Sequence, residues 1–340
     1  MRTGRYSYNA QQRSIKRPIQ KVQKLAEGFA QNYDGAVMKR AENVEENNQQ
    51  SNQQSNKNTI VSSAVMAVQK KEDIALVFYR ACNVIFSQHG QPQLINASFV
   101  WQENSEESLM AQMTAHLAAL CKCEGIQLGA VTASVSSFAQ KGFVTIFAVG
   151  EATLHTEKTV PAGSTLCMAG HAGLAGIGLL ASAGEEALTK QYTQGFIRQA
   201  QNFLTQLSLR PAKEALAEMD ACIYPVQEGG VLTALWNYAD GAGVGLDIDM
   251  RKIPIRQEAV EISEFYGINP YQLMGDGACL IASTQPEKVC AALAQKGISC
   301  CIIGQITGEH ARIIRRDDEV RYLDKPAQDE LKRSGLDQKR

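Results

Sequence analysis

The residues with most chemistry in them are Glu228, Gly229 and Gly230, which open an apolar stretch running to Ala239. Two adjacent glycines allow backbone angles that side chains forbid, and a carboxylate beside a helix N-terminus complements its positive end. The same N–H groups can instead face a phosphate. His171 poses a similar choice. It stands among Gly170, Gly173, Gly176 and Gly178, where a strand could turn into a helix. That turn fits either a phosphate contact or a closely packed Gly/Ala helix. Cys121-x-Cys123 and Cys300-Cys301 suggest a metal or redox site, but neither has a second pair at zinc-ligand spacing. They read as small buried apolar side chains. His89, His116, His155 and His310 form no metal-binding pattern, and Asp247 and Asp249 fall on the solvent side of an alternating strand.

The elements that must position these groups follow from periodicity. Residues 229–239 carry a wide apolar helical face including Val231, Leu235 and Tyr238, stopped by Gly241, Gly243 and Gly245. Val244, Leu246 and Ile248 then alternate with Gly245, Asp247 and Asp249, the mark of a half-buried strand. A helix is expected over 257–266, and Asn269-Pro270 starts another turn with Asn as its cap. Around this core, 165–169, 278–283, 299–306 and 311–315 read as strands, and 171–182, 185–207 and 287–296 as helices. The first half shows strands near 60–68, 95–101, 130–135 and 144–149, with helices over 74–86 and 106–123. Polar, proline-containing 151–163 suggests a domain boundary. Residues 41–58 are low-complexity and polar, so they read as a disordered insertion.

A chain of 340 residues accommodates two domains. With 44% hydrophobic and 20% charged residues it has a globular composition, and a net charge of −1 gives no global field for nucleic acid or an anionic membrane. No apolar run is long enough to span a bilayer. Nine cysteines without a secretory signal point to reduced thiols and a cytoplasmic location. Residues 2–24 hold seven Lys or Arg and no acid. They read as a solvated basic segment rather than a nucleic-acid arm, so neither membrane nor nucleic acid is an expected partner.

The stretches EGGVLTALWNYADGAGVGLDIDMRKIPI, EISEFYGINPYQL, GACLIAS and IGQIT together resemble the C-terminal domain of the aminoimidazole-ribonucleotide (AIR) synthase superfamily, over about 165–323. The texture is most similar to its hydrogenase-maturation-factor members. The resemblance implies an α+β, sandwich-like chain of two domains. The first, 59–155, would be β-rich and dimerising, and the second, 164–325, would pack helices on a mixed sheet. Residues 1–40 would hold the basic segment and first strand, and 326–340 a polar tail.

The resemblance also implies a Mg-ATP cleft lined by carboxylates, which Mg²⁺ requires as a hard ion bridging phosphate oxygens. Matched to the family's motifs, Asp34 keeps one acid of the first, Asn83 keeps the Asn but not the Asp of the helix motif, and Ala64 and Ala130–Ser134 keep none. In the last motif Tyr224 to Gln227 replace the His and Asp, while Glu228, Gly229 and Gly230 remain. Asp34 and Glu228 would hold at most a weak, water-rich Mg²⁺ site. Mg-ATP binding is therefore expected to be weak or absent, through Asp34, Asn83, Glu228, Gly229 and Gly230. The last cysteines, Cys300 and Cys301, fall on an expected core strand, so the terminal-thiol modification known in this family is not expected. The reading is a catalytically impaired member, a pseudoenzyme acting by binding as a homodimer or with a related, intact protein. The alternative is an active ATP-dependent enzyme that phosphorylates or activates a small-molecule oxygen with a rearranged site.

Overall fold

The structure is a computed structural model and describes residues 13–14, 17–20, 35–38, 57–153 and 161–335. Asp34 and nearly all of the low-complexity insertion lie outside the described residues. The chain divides into two compact units, 26–158 and 159–340 with 1–25.

The first unit carries a five-stranded sheet in the order β1 (Gly35–Met38), β2 (Lys57–Val68), β5 (Gly142–Thr153), β3 (Gln91–Trp101), β4 (Gln127–Val135). All pairs are antiparallel except β3 with β4. Helices α1 (Asp73–Ser87) and α2 (Glu107–Glu124) belong to this unit. Alternation along the strands sends Ile60 and Ala64 of β2, Val144 and Ile146 of β5, and Ile95 and Phe99 of β3 into the core. Ser62 on the same side donates its hydroxyl to the Ala81 carbonyl of α1 at 2.7 Å, fastening sheet to helix. The opposite face is open: Val65 is 61% exposed, and Phe143 and Phe147 are exposed as well.

The second unit is built on a seven-stranded mixed sheet in the order β12 (Glu319–Tyr322), β11 (Arg312–Arg316), β8 (Gly245–Asp249), β10 (Cys300–Thr307), β6 (Thr165–Ala169), β9 (Cys279–Ser283), β7 (Ala221–Pro225). Only β8 and β11 run parallel. Its longer helices are α3 (Leu174–Ala183), α4 (Gln194–Gln201), α5 (Gly230–Ala242), α6 (Gln257–Tyr266) and α7 (Pro286–Gln295). Leu166 and Met168 of β6, Leu246 and Ile248 of β8, and Val231, Leu235 and Tyr238 of α5 share one core. The alternation expected for 244–249 is therefore present, and Asp247 on the other face meets Arg315 of β11 through two bonds of 2.7 and 2.9 Å.

Two expectations change. The single helix over 185–207 is broken into Glu185–Leu188, α4 and a 3₁₀ turn at Asn202–Thr205. Thr193 starts α4 anew by accepting from the Phe196 amide, and Tyr192 stacks on Phe196 across the break. The polar tail is not a free tail over its described part: Asp329, Glu330 and Leu331 are buried in the second unit.

Candidate functional site

At the end of β7, the edge strand of its sheet, the chain turns through Val226–Gly229 into α5. Gly229 and Gly230 both adopt left-handed backbone, φ +82° and +67°. Only glycine takes two such angles in succession without strain. Gly230 has a further reason to be glycine. A Cβ there would meet the Tyr271 carbonyl at 2.5 Å and the Leu273 carbonyl at 2.6 Å. The Gln227 carbonyl accepts from the amides of Gly230 at 3.0 Å and Gly275 at 3.3 Å, stitching the turn to loop 270–275.

The second glycine turn reaches the same loop. Gly170 (φ +81°) and Gly173 (φ +71°) carry the chain from β6 into α3, and the Gly176 amide donates to the Met274 carbonyl at 2.9 Å. A Cβ on Gly275 would lie 2.8 Å from Val226 and 3.6 Å from the Gly173 nitrogen. The N-terminal ends of α3 and α5 thus both border this one loop. Two helix N-termini at one place favour negative charge. His171 on the first turn is held below its ordinary value of 6.5, chiefly by burial and then by the Arg256 cation, with Glu258 opposing. It is therefore poised as a neutral imidazole rather than a cation.

The chain supplies the negative charge itself. The Gly229 amide donates to Asp329 Oδ2 at 2.6 Å, in a buried bond spanning a hundred residues of sequence. The other carboxylate oxygen accepts from the Leu331 amide at 2.9 Å and caps the 3₁₀ turn Glu330–Lys332. Lys332 Nζ lies 3.6 Å from Glu228 Oε1, each side chain largely covered. Glu330 accepts from the Asn269 amide at 3.3 Å and pairs with Arg333. The N–H and the carboxylate that make the turn suited to a Mg²⁺–phosphate group are both engaged by residues 329–332.

Of the residues singled out in the sequence, Glu228, Gly229 and Gly230 are together on this turn. Asn83 lies in the first unit, on α1, and is 1% exposed. Asp34 is outside the described residues. Asp329, Glu330 and Lys332 were not anticipated. Their one sequence signal is an Asp two residues before an apolar Leu331, the pattern of an N-cap in a segment otherwise polar.

Residues 161–316 match the family model described as AIR synthase related protein, C-terminal domain. The chain is 26% identical over 234 residues to the carbamoyl dehydratase HypE of Rhodobacter capsulatus, covering 66% of this chain and 67% of that one. Among solved structures, E. coli HypE shares the fold with a TM-score of 0.67 at 17% identity, over 80% of this chain and 87% of that chain. HypE solved in complex with ATP does so at 0.64 and 16%, over 80% and 87%. Helices on a mixed seven-stranded sheet, the paired glycine turns and these similarities agree: residues 161–316 form an AIR synthase-related C-terminal domain, and the chain is similar to the hydrogenase-maturation protein HypE.

Proposed function

We propose that this chain is a HypE-like protein whose Mg-ATP site has degenerated and whose work is binding, as a homodimer or as the partner of a catalytically intact relative. The observation that carries the reading is the 2.6 Å bond from the Gly229 amide to Asp329, with Lys332 on Glu228. A triphosphate approaching this turn must displace a buried carboxylate and then share the site with it, which adds like charge where the ligand is already an anion. The acids lost from Tyr224–Gln227, Ala64 and Ala130–Ser134 remove the Mg²⁺ ligands that would offset that charge.

An exposed apolar face supports the pairing part of this reading. The open face of the first sheet exposes Val65, Phe143 and Phe147, apolar side chains of the kind that interfaces bury.

Isothermal titration of the full chain with Mg-ATP, run beside an ADP-release assay, tests the reading. The expected result is no turnover and no heat of binding below millimolar nucleotide. Micromolar binding with measurable turnover would establish the active-enzyme alternative instead.

A further inference from the structure

Three cysteines from three different elements meet on the face of the second sheet that α7 covers. In the antiparallel register Cys300 of β10 sits opposite Ala169 of β6, and Ile302 opposite Cys167. Partners in a register point to the same side, so Cys167 and Cys300 are diagonal neighbours on one face, while Cys301 points to the other. Helix α7 packs over β10, β6 and β9 through Val289 and Leu293, both fully buried. That seats Cys290, the next residue after Val289, above the pair. The three sulfurs lie within 4.8 Å of one another, and Cys290 Sγ is 3.2 Å from Cys300 Sγ.

We propose that Cys167, Cys290 and Cys300 form a thiolate site for one thiophilic d¹⁰ cation, with zinc(II) as the expected ion. Three sulfurs at about 2.3 Å from a tetrahedral zinc are about 3.8 Å apart, so the triad needs only a small opening of its Cys290–Cys300 edge. Convergence of three thiols, rather than two, distinguishes this cluster from a simple disulfide pair. Cys167 is fully buried and forms the floor. Cys290 and Cys300 are part-exposed, which leaves an entry path on their side. Among the described residues the cluster offers three protein ligands, so water would take the fourth position of a tetrahedral ion. Binding would replace three S–H bonds by three Zn–S bonds and release up to three protons to solvent, with no change of oxidation state. The site is independent of the Glu-Gly-Gly turn, so its presence does not depend on the nucleotide reading.

The test uses the full chain, reduced and metal-free. Cobalt(II) should bind one per chain, give a thiolate-to-cobalt charge-transfer band, and be displaced by zinc(II) in competition with a chromophoric chelator. Zinc(II) should raise the melting temperature by mass action and protect Cys290 and Cys300 from alkylation. C290S and C300S should each weaken zinc by at least about 100-fold, since losing even an outer-shell partner costs roughly 10–100-fold. C123S, an exposed thiol of the other unit, should bind as the parent does. Circular dichroism matching the parent shows that a variant is folded, and the zinc-dependent melting shift then reports the site alone. A folded parent that binds neither ion, cobalt bound without the charge-transfer band, variants that retain full affinity, or a Cys290–Cys300 disulfide forming equally fast with zinc present would each overturn the proposal.

Discussion

At the residue scale, the two glycines of the Glu-Gly-Gly turn are required by backbone geometry before any ligand is considered. Gly230 and Gly243 bracket α5 with the same φ of +67°, yet their surroundings differ. Backbone of 271–273 crowds Gly230, while nothing lies within 4 Å of a Cβ at Gly243. Ala at Gly243 should cost about 1 kcal/mol, the strain of a left-handed angle alone. Ala at Gly230 should cost at least about 3 kcal/mol, because a peptide backbone cannot yield as a flexible side chain does. Denaturant midpoints of the two variants give the comparison directly. Asp329→Ala leaves the buried Gly229 amide without its carboxylate, and the expected loss is about 1.5–3 kcal/mol, the range for a hydrogen bond to a charged group. The glycines were legible in the sequence because a Gly-Gly pair before an apolar run has few other uses. Asp329 was not, because nothing local in QDELK says that its carboxylate reaches across a hundred residues.

At the element scale, strands with one buried face were the most readable. Leu246 and Ile248 against Asp247 and Asp249 give the period of two, and β8 follows it, since a shift by one residue would bury both aspartates. The break before α4 escaped notice because its signal is one Thr193 hydroxyl accepting the Phe196 amide, easily lost within an otherwise helical pattern. The turn from β6 into α3 carries a titrating group. His171 in the folded chain takes a proton at lower pH than the ordinary 6.5, burial being the main cause. Below 6.5 the unfolded chain therefore binds more protons, and stability should fall as pH drops through the window beneath that value. His171→Gln should flatten this part of the curve, which urea unfolding on either side of pH 6.5 would measure. An unchanged slope would mean that the imidazole is not held neutral by its surroundings.

For the whole molecule, a length of 340 residues and the polar stretch between the halves led to an expectation of two domains, and the described residues form two sheets, one in each compact unit. Among the described residues no helix is long and apolar enough to cross a membrane. The open face of the first sheet is where the proposed self-association acts. Phe147→Glu places a charge at the middle of that face on β5, where Phe147 is 43% exposed. If the face pairs with a second copy, this variant should sediment as a monomer while its melting temperature changes little, because that side chain lies on the open face of its sheet and not in the core. A parent chain that is monomeric at high micromolar concentration would remove the homodimer from the proposal and leave the hetero-oligomer.

The sequence by itself determined what is written in periodicity and in residue type: the glycine turns, the alternating strands, the apolar face of α5, and the likeness of the second half to AIR synthase-related C-terminal domains. These depend on backbone sterics and on burial patterns that repeat within about ten residues. Only the tertiary structure decided which groups share a site. Cys300 read as a thiol on a core strand beside Cys301, yet strand register turns the two to opposite faces and gives Cys300 to Cys167 and Cys290 instead. Glu228 read as the edge of a phosphate site, yet a segment a hundred residues later lays Lys332 on it and Asp329 on its neighbour's amide. The pairings of Cys300 with Cys167 and of Gly229 with Asp329 are long-range, and neither sulfur nor carboxylate carries a local mark of the partner that folding brings to it.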